Sequence, residues 1–141
     1  MSTRPTELTD ADRIATLMGV LGYPSTPDDL VSRLTVMRNR PDHASWVAEA
    51  GGSVVGFVGA CTAPAYEKNG RYGRILALVV DPSARGLGVG RALIAVAERW
   101  MREQGAEDVV VNSGNHRTEA HEFSRRLGYQ STGLRFRKVL R

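Results

Sequence analysis

The sequence predicts an α/β fold of the α+β kind, in which helices pack on one mixed sheet. Three observations lead to this prediction: an early antiparallel hairpin, an alternation of helices and strands after it, and an apolar strand that passes through a glycine-rich turn into an amphipathic helix. Because a helical connection permits its two flanking strands to lie parallel, we expect one parallel pair, joined by the helix after the glycine turn.

The first half of the chain predicts two helices and the hairpin. Apolar residues at helical spacing indicate a helix over about residues 10–21, which ends at Gly22. Thr26 before a proline and two acids predicts the start of a second helix that runs to about Asn39. The pair Gly51-Gly52 predicts a two-residue turn between strands at 45–50 and 53–61, and a loop is expected over 62–70.

The second half predicts strands that are covered on both faces, interleaved with helices. The apolar run 74–80 is such a strand, and a helix from Val89 to about Gln104 follows the glycine turn. A second buried strand is expected over 107–112, and then a helix over about 118–127 that Gly128 ends. A last strand or strand pair is expected from 129 to 140.

Length and composition favour one domain over residues 1–141, in a reducing compartment. A chain of 141 residues buries enough surface for one core, and no signal peptide, membrane span or metal site is recognised. The single cysteine, Cys61, cannot form an internal disulfide, so we expect a cytoplasmic protein in which Cys61 is a small buried residue rather than a catalytic thiol.

The charge balance favours an anionic ligand. Nineteen Lys and Arg against fifteen Asp and Glu give a formal net charge of +4. The basic residues are dispersed and are not interleaved with aromatic residues as in single-strand binders, so we expect no nucleic-acid partner. A merely solvated basic surface remains an alternative.

The glycine turn, Arg85-Gly86-Leu87-Gly88-Val89-Gly90, is typical of a phosphate-binding cradle at a helix N-terminus. A dinucleotide-binding Gly-x-Gly-x-x-Gly motif is excluded, because its third glycine would fall on Arg91 or Leu93. A nucleoside-triphosphate loop is excluded because Arg91 and Ala92 stand where Lys and Ser or Thr are needed. An Arg-x-x-Gly-x-Gly pattern remains, and a glycine-rich turn without a ligand is its alternative.

This pattern resembles the pyrophosphate-binding motif of the GCN5-related N-acetyltransferases, the GNAT family. The segment Gly114 to Tyr129 is similar to the family's second motif, and residues 21–24 and 136–140 are similar to small bacterial members that modify amines. The resemblance covers almost the whole chain. It implies about seven strands with a splayed parallel pair, four helices, acetyl-CoA as cofactor and a small-molecule amine as acceptor.

The resemblance also implies where acetyl-CoA binds. The cradle would hold the pyrophosphate, and the backbone of the strand around Leu78 and Val80 would pair with the pantetheine arm as a pseudo-strand. A backbone N–H near Leu78 or Val79 would stabilise the oxyanion. The implied cofactor-binding residues are Leu78, Val79, Val80, Arg85, Gly86, Leu87, Gly88, Val89, Gly90, Arg91, Ala92, Asn112, His116 and Phe123.

Two positions depart from the family pattern. Ser124 stands where a tyrosine commonly protonates the leaving thiolate, and Arg74 stands where relatives often carry a glutamate on the route of the amine proton. A thiol of pKa about 8.5 leaves tolerably without an acid, whereas an alkylamine of pKa about 10.4 is almost entirely protonated at neutral pH. Substitute groups are Tyr66, Glu67, His116 and Glu49.

The sequence therefore predicts an acetyl-CoA-dependent N-acetyltransferase that acts by direct attack of a primary amine on the thioester. Arg71, Tyr72 and Arg74 form either a site for a negatively charged acceptor or a solvated rim. An acyl-CoA-binding protein with weak or lost transfer, such as a sensor, is the alternative function. No membrane partner is expected, and a homodimer is left open.

Overall fold

The computed structural model describes residues 1–111, 118–133 and 135–141, with the backbone alone for 118–120. The chain divides into two compact units, Met1–Val110 and Val111–Arg141, each of which is described by itself. The elements are β1 (Ser2–Pro5), α1 (Ala11–Leu21), α2 (Pro27–Arg38), β2 (His43–Ala50), β3 (Ser53–Pro64), β4 (Arg71–Val80), α3 (Val89–Glu103), β5 (Ala106–Val111) and α4 (Thr118–Arg126).

The strands form one mixed sheet in the order β1-β2-β3-β4-β5. The pairs β1–β2, β2–β3 and β3–β4 are antiparallel, and β5 lies beside β4, to which α3 connects it. The predicted mixed sheet is confirmed. The sequence does not predict β1, which pairs with β2 through four polar or proline residues and has no apolar pattern of its own.

The local signals for the helix ends and the hairpin are confirmed. Gly22 ends α1 in the left-handed region at φ 105°. At the start of α2, the amide of Asp29 donates to Thr26 Oγ1 at 3.1 Å, and the amide of Thr26 donates to Asp29 Oδ2 at 2.9 Å. The predicted hairpin residues Gly51 and Gly52 have φ 59° and 79°, as a turn of mirror-image type requires.

The two faces of the sheet are covered by different helices. On one face, α1 and α2 pack on β2, β3 and β4 through a core that includes Ile14, Leu17, Leu34, Phe57 and Val79. On the other face, α3 covers the sheet, and its Trp100 meets Trp46 of β2 edge to face with ring centroids 5.8 Å apart. In the described part of the chain, no helix has the length and apolar character needed to cross a membrane.

Three predictions about strands are wrong. Five strands are present among the described residues instead of about seven, because residues 129–133 and 135–141 have no regular structure and expose Phe136 and Leu140. The strands at 74–80 and 107–112 are not covered on both faces, since Leu76 is 46% and Val110 44% exposed. Finally, β3 extends into the expected loop as far as Pro64, and β4 begins at Arg71 instead of at residue 74, because Ala63 and Pro64 pair with Tyr72 and Arg71.

Candidate functional site

The glycine turn connects β4 to α3 through two glycines in the left-handed region. Gly86 has φ 82°, and Gly88, the residue that caps the N-terminus of α3, has φ 79°. A Cβ atom at either position would meet no other heavy atom within 4 Å. The turn is therefore open on the side of both glycines, and there is room for a ligand against the backbone.

Within the first unit, the backbone amides of residues 86–91 have no backbone acceptor. The first amide that donates is that of Ala92, to the carbonyl of Gly88 at 3.0 Å. The same amides lie at the positive end of the α3 dipole. A run of free donors at a helix N-terminus is a site that favours a phosphate group.

Two arginines flank these amides. Arg85 and Arg91 are exposed, and neither takes part in an ion pair among the described residues. Leu87 is also exposed, whereas the side chain of Val89 is 2% exposed and packs in the core. Of the predicted cofactor-binding residues in the turn, Val89 can therefore contribute only its backbone.

A β-bulge interrupts β4 beside the residues predicted to hold the arm. Gly59 pairs with Ala77 and Ala60 with Ile75, so that Leu76 is an extra residue in β4. The bulge reverses the alternation of side chains: Val79 belongs to the core under α1 and α2, and Leu78 and Val80 therefore face the other side and are half-buried. Val79, like Val89, can therefore contact a ligand only through its backbone.

Arg74 lies on the opposite face of β4 from Arg71. A Cβ atom on Gly73 would overlap Met101 of α3, so residues 71 and 73 face α3, and residues 72 and 74 face away from it. The guanidinium of Arg71 donates to the carbonyl and hydroxyl oxygens of Thr62 at 3.1 and 3.0 Å. Arg71 and Arg74 therefore do not converge on one ligand, whereas Tyr72 and Arg74 share a face.

Arg74 belongs to a row of polar side chains across three strands. Its partner on β3 is Cys61, whose partner on β2 is His43. His43 Nδ1 lies 2.7 Å from Asp42 Oδ1. Burial raises the pKa of the Cys61 thiol, and the positive charge of Arg74 offsets part of that rise. Cys61 is therefore a protonated thiol at neutral pH, and it is half-buried rather than buried as expected.

Of the substitute proton acceptors that the structure describes, Glu49 lies away from Arg74. Glu49 makes an ion pair with Arg4 and lies near the hairpin end of β2, whereas Arg74 aligns with the opposite end, at His43. Tyr66 and Glu67 are exposed in the loop between β3 and β4. The sequence does not predict the pair of His43 and Asp42 beside Arg74, because strand register, which no local signal gives, aligns these residues.

The remaining predicted residues belong to the second unit. Phe123 and Ser124 are half-buried on α4, and the carbonyl of Ser124 accepts hydrogen bonds from the amides of Leu127 and Tyr129 at 3.1 and 3.0 Å. Gly128 has φ 89°, which confirms the predicted end of this helix. Asn112 and His116 lie outside the described residues.

Comparison with known proteins finds a family model and solved structures that match most of the chain. The family model described as acetyltransferase (GNAT) family matches residues 12–129. The crystal structure of a GNAT family acetyltransferase from Staphylococcus aureus superposes with a TM-score of 0.82 at 31% identity, covering 99% of this chain and 98% of that one. The structure of AAC(6')-Iy with the bisubstrate analogue CoA-S-monomethyl-acetylneamine shares the fold at a TM-score of 0.87, 22% identity and coverages of 99% and 97%.

Curated relatives match over part of their length. The N-acetyltransferase family 8 member 2 of Rattus norvegicus is 35% identical over 91 residues, which are 64% of this chain and 40% of that protein. The aminoalkylphosphonate N-acetyltransferase of Salmonella typhimurium is 41% identical over 68 residues, 48% of this chain and 44% of that protein. The chain thus spans less than half the length of these relatives.

Proposed function

Because the chain belongs to the GNAT family of acetyltransferases, we propose that it transfers the acetyl group of acetyl-CoA to a primary amine of a small molecule. The observation that carries this proposal is the run of free amides over residues 86–91, at the N-terminus of α3 and beside two glycines at positive φ. The acetyl thioester would supply the group that is transferred. We also propose that residues 1–141 form a single domain and that the protein acts in the cytoplasm.

The residues of the turn fit the pyrophosphate of coenzyme A. The amides of 86–91 offer donors in one short stretch, and the exposed guanidinium groups of Arg85 and Arg91 add positive charge. The open space at Gly86 and Gly88 lets backbone approach an anion without side chains between them. Each of these features acts on the diphosphate, so the turn would set cofactor affinity rather than the chemistry.

In β4, the proposed role falls on backbone groups. The amides and carbonyls around Leu78 and Val80 would pair with the pantetheine arm, and an amide near Leu78 would donate to the thioester oxygen as negative charge develops. The bulge at Leu76 supports this role, because an extra residue breaks the ladder pattern and re-aims backbone groups just before Leu78. Direct attack by the amine then needs no covalent intermediate on the protein.

The acceptor we propose is an amine that also carries an anionic group. An exposed guanidinium at position 74 cannot accept the amine proton, but it can bind a phosphonate, phosphate or carboxylate on the acceptor, with Tyr72 on the same face of β4. The aminoalkylphosphonate N-acetyltransferase among the relatives acts on acceptors of this kind, according to its name, and this supports the proposal.

The test combines binding and turnover. Calorimetric titration should detect acetyl-CoA binding to the full chain, and a screen of amines should find an acceptor that releases free thiol from acetyl-CoA. If the protein binds acetyl-CoA but no amine raises thiol release, the alternative of an acyl-CoA-binding protein replaces the transferase. If the folded protein does not bind acetyl-CoA, both functions are contradicted.

A further inference from the structure

The carboxylate of Asp81 lies at the junction between β4 and the glycine turn. Its Oδ1 accepts hydrogen bonds from the amide and hydroxyl of Ser83, at 2.9 and 2.8 Å. Its Oδ2 accepts one from Arg13 Nη2 of α1, at 3.1 Å. One carboxylate therefore fixes the chain that leaves β4 and at the same time attaches it to a helix that is distant in sequence.

Arg13 also holds the strand next to this junction. Its Nε and Nη2 donate to the carbonyl of Val54 in β3 at 3.1 and 3.0 Å. A register shift in β3 leaves Val55 as an extra residue, whose carbonyl accepts from the amide of Asp81 at 2.8 Å. The carbonyls of two successive residues at the bulge thus accept hydrogen bonds, one from Arg13 and one from the amide of Asp81. These bonds connect α1, β3 and the end of β4.

The glycine turn begins only four residues after this point. Between Asp81 and Gly86, the side chain of Ala84 is 4% exposed, and beyond the turn that of Val89 is 2% exposed. The segment 86–91 is therefore held in place at both of its ends. The second end is fixed by the packing of α3, and the first is fixed by Asp81 together with Arg13.

We propose that Arg13 is a positioning residue for the cofactor cradle, which it aligns through Asp81 without contacting acetyl-CoA itself. This inference rests on the proposed function of the turn. The hydrogen bonds from Ser83 and Arg13 hold the pKa of Asp81 below its usual range, so the carboxylate is ionised at neutral pH and the pair keeps its charge. Loss of either partner leaves the start of the turn without this anchor. The amides of 86–91 then bind the pyrophosphate less tightly.

The experiment uses the full chain with three substitutions. Arg13→Met removes the guanidinium, and Asp81→Asn keeps an oxygen for Ser83 but loses the charged partner of Arg13. Arg33→Met is the matched control, because Arg33 lies on α2 and donates an exposed hydrogen bond to Ser25 Oγ at 2.7 Å. The dissociation constant of acetyl-CoA is measured by calorimetry, and the amide signals of Gly86 and Gly88 are followed by NMR without ligand.

We expect Arg13→Met and Asp81→Asn each to weaken acetyl-CoA binding about tenfold and to shift both glycine signals, while Arg33→Met changes neither. The double variant should bind no more weakly than the weaker single variant, because the two residues act as one unit. With an accepted amine, the KM for acetyl-CoA should rise while kcat at saturation stays unchanged. Arg13→Lys, which keeps the charge, should restore part of the affinity.

Two results would overturn the inference in different ways. If the wild-type protein binds acetyl-CoA and folded Arg13→Met and Asp81→Asn bind it equally well, the positioning role is wrong and the proposed function stands. If the wild-type protein itself does not bind, the proposed function fails and the inference fails with it. Should Arg13→Met not fold, Asp81→Asn decides, since it retains the hydrogen bonds to Ser83.

Discussion

Gly56 of β3 lies directly beneath Leu93 of α3: a Cβ atom on Gly56 would stand 2.9 Å from Leu93 Cδ1 and 2.9 Å from Val89 Cγ1. Gly56 is also the β3 partner of Val80, the last residue of β4. The absence of a side chain at Gly56 thus lets the first turn of α3 lie close to the sheet, at the end where β4 leads into the glycine turn.

We therefore expect Gly56→Ala to displace the N-terminal turn of α3. Overpacking of this kind should reduce the free energy of unfolding by about 1–3 kcal/mol, measured by chemical denaturation. Acetyl-CoA binding should weaken as well, because the amides of 86–91 move with the helix. Gly59→Ala is the control, since its Cβ would lie 3.6 Å from the ring of Phe57, at ordinary contact distance. Equal effects of the two substitutions would contradict this account.

A glutamate in the cradle should abolish cofactor binding without unfolding the protein. Gly88→Glu places a side chain and a negative charge where the pyrophosphate is proposed to bind, in a position where a Cβ meets nothing within 4 Å. The substitution adds backbone strain of about 1–2 kcal/mol at φ 79°. Gly52→Glu, at the same φ of 79° in the hairpin, carries the same strain and should bind acetyl-CoA like the wild type. Calorimetry on both folded variants makes the comparison.

Local chemistry explains which parts of the fold the sequence predicts. Gly22 at the end of α1, the start of α2 at Thr26, the Gly51-Gly52 turn and the glycine turn are all predicted, because each is decided by conformational preferences within a few residues. The strand expected at 129–140 fails for the converse reason. A strand forms only beside a neighbouring strand that accepts its hydrogen bonds. The side chain of Phe136 is 86% exposed, so it does not pack against a core as the side chain of a sheet strand would.

The parts of the site that could not be predicted depend on register. Nothing in the sequence marks Leu76 as an extra residue, yet this bulge decides which side chains of β4 face α3. The alignment of His43, Cys61 and Arg74, and the link from Arg13 to Asp81, likewise join residues that are far apart in the chain. Glycines and spacing predicted the cradle, but pairing across the sheet determines what surrounds it.

The buried Asp10 should give the protein an acid-sensitive component of stability. Arg4 Nη1 and Nη2 donate to its two carboxylate oxygens at 2.9 and 2.8 Å, and these bonds, with one from the amide of Glu7, hold the pKa of Asp10 below its usual range. A lowered pKa in the folded state contributes stability above the ordinary aspartate pKa of about 3.9, and this contribution is lost as the pH falls through the folded-state value.

We expect Asp10→Asn to reduce the free energy of unfolding by about 2 kcal/mol at neutral pH, where the charged hydrogen bonds are intact in the wild type. The difference between the two proteins should shrink as the pH falls below about 4. Asp12→Asn, an exposed position on α1, should behave like the wild type. Denaturation curves across this pH range test the sign, and a difference that does not depend on pH would refute the linkage.

Ser124→Tyr tests whether α4 supplies the acid for the leaving thiolate. The family resemblance places a tyrosine at this position, and a serine hydroxyl is a poorer acid at the same point of the helix. We expect turnover to rise when thiolate departure limits the rate, with acetyl-CoA affinity little changed because the cradle is untouched. Ser124→Phe is the control that adds a ring without a hydroxyl. A rise with Phe equal to that with Tyr would show that packing, not proton transfer, is responsible.

Substitution of Arg74 distinguishes two roles of this position, proton acceptance and binding of an anionic group on the acceptor, because the two roles respond differently to the charge of the acceptor. On amines without an anionic group, Arg74→Glu should raise turnover most at neutral pH, where the amine is mostly protonated and a carboxylate can take its proton. On an aminoalkylphosphonate, the same substitution should raise the KM of the acceptor at least tenfold, because repulsion replaces a charge-assisted hydrogen bond. Arg74→Gln removes the charge without adding a base, so it should lose phosphonate affinity and gain no turnover on other amines.

The pKa of Cys61 provides an independent check that a substitution of Arg74 acts beside Cys61, where the structure places Arg74. The positive charge of Arg74 lowers the pKa of the neighbouring thiol against the larger effect of burial. Arg74→Glu should therefore raise the pKa of Cys61, seen as a shift to higher pH in the rate of thiol modification, and Arg74→Gln should raise it by less. If thiol reactivity shifts as expected while turnover on every accepted amine stays the same, Arg74 lies beside Cys61 but does not touch the path of the acceptor or its proton.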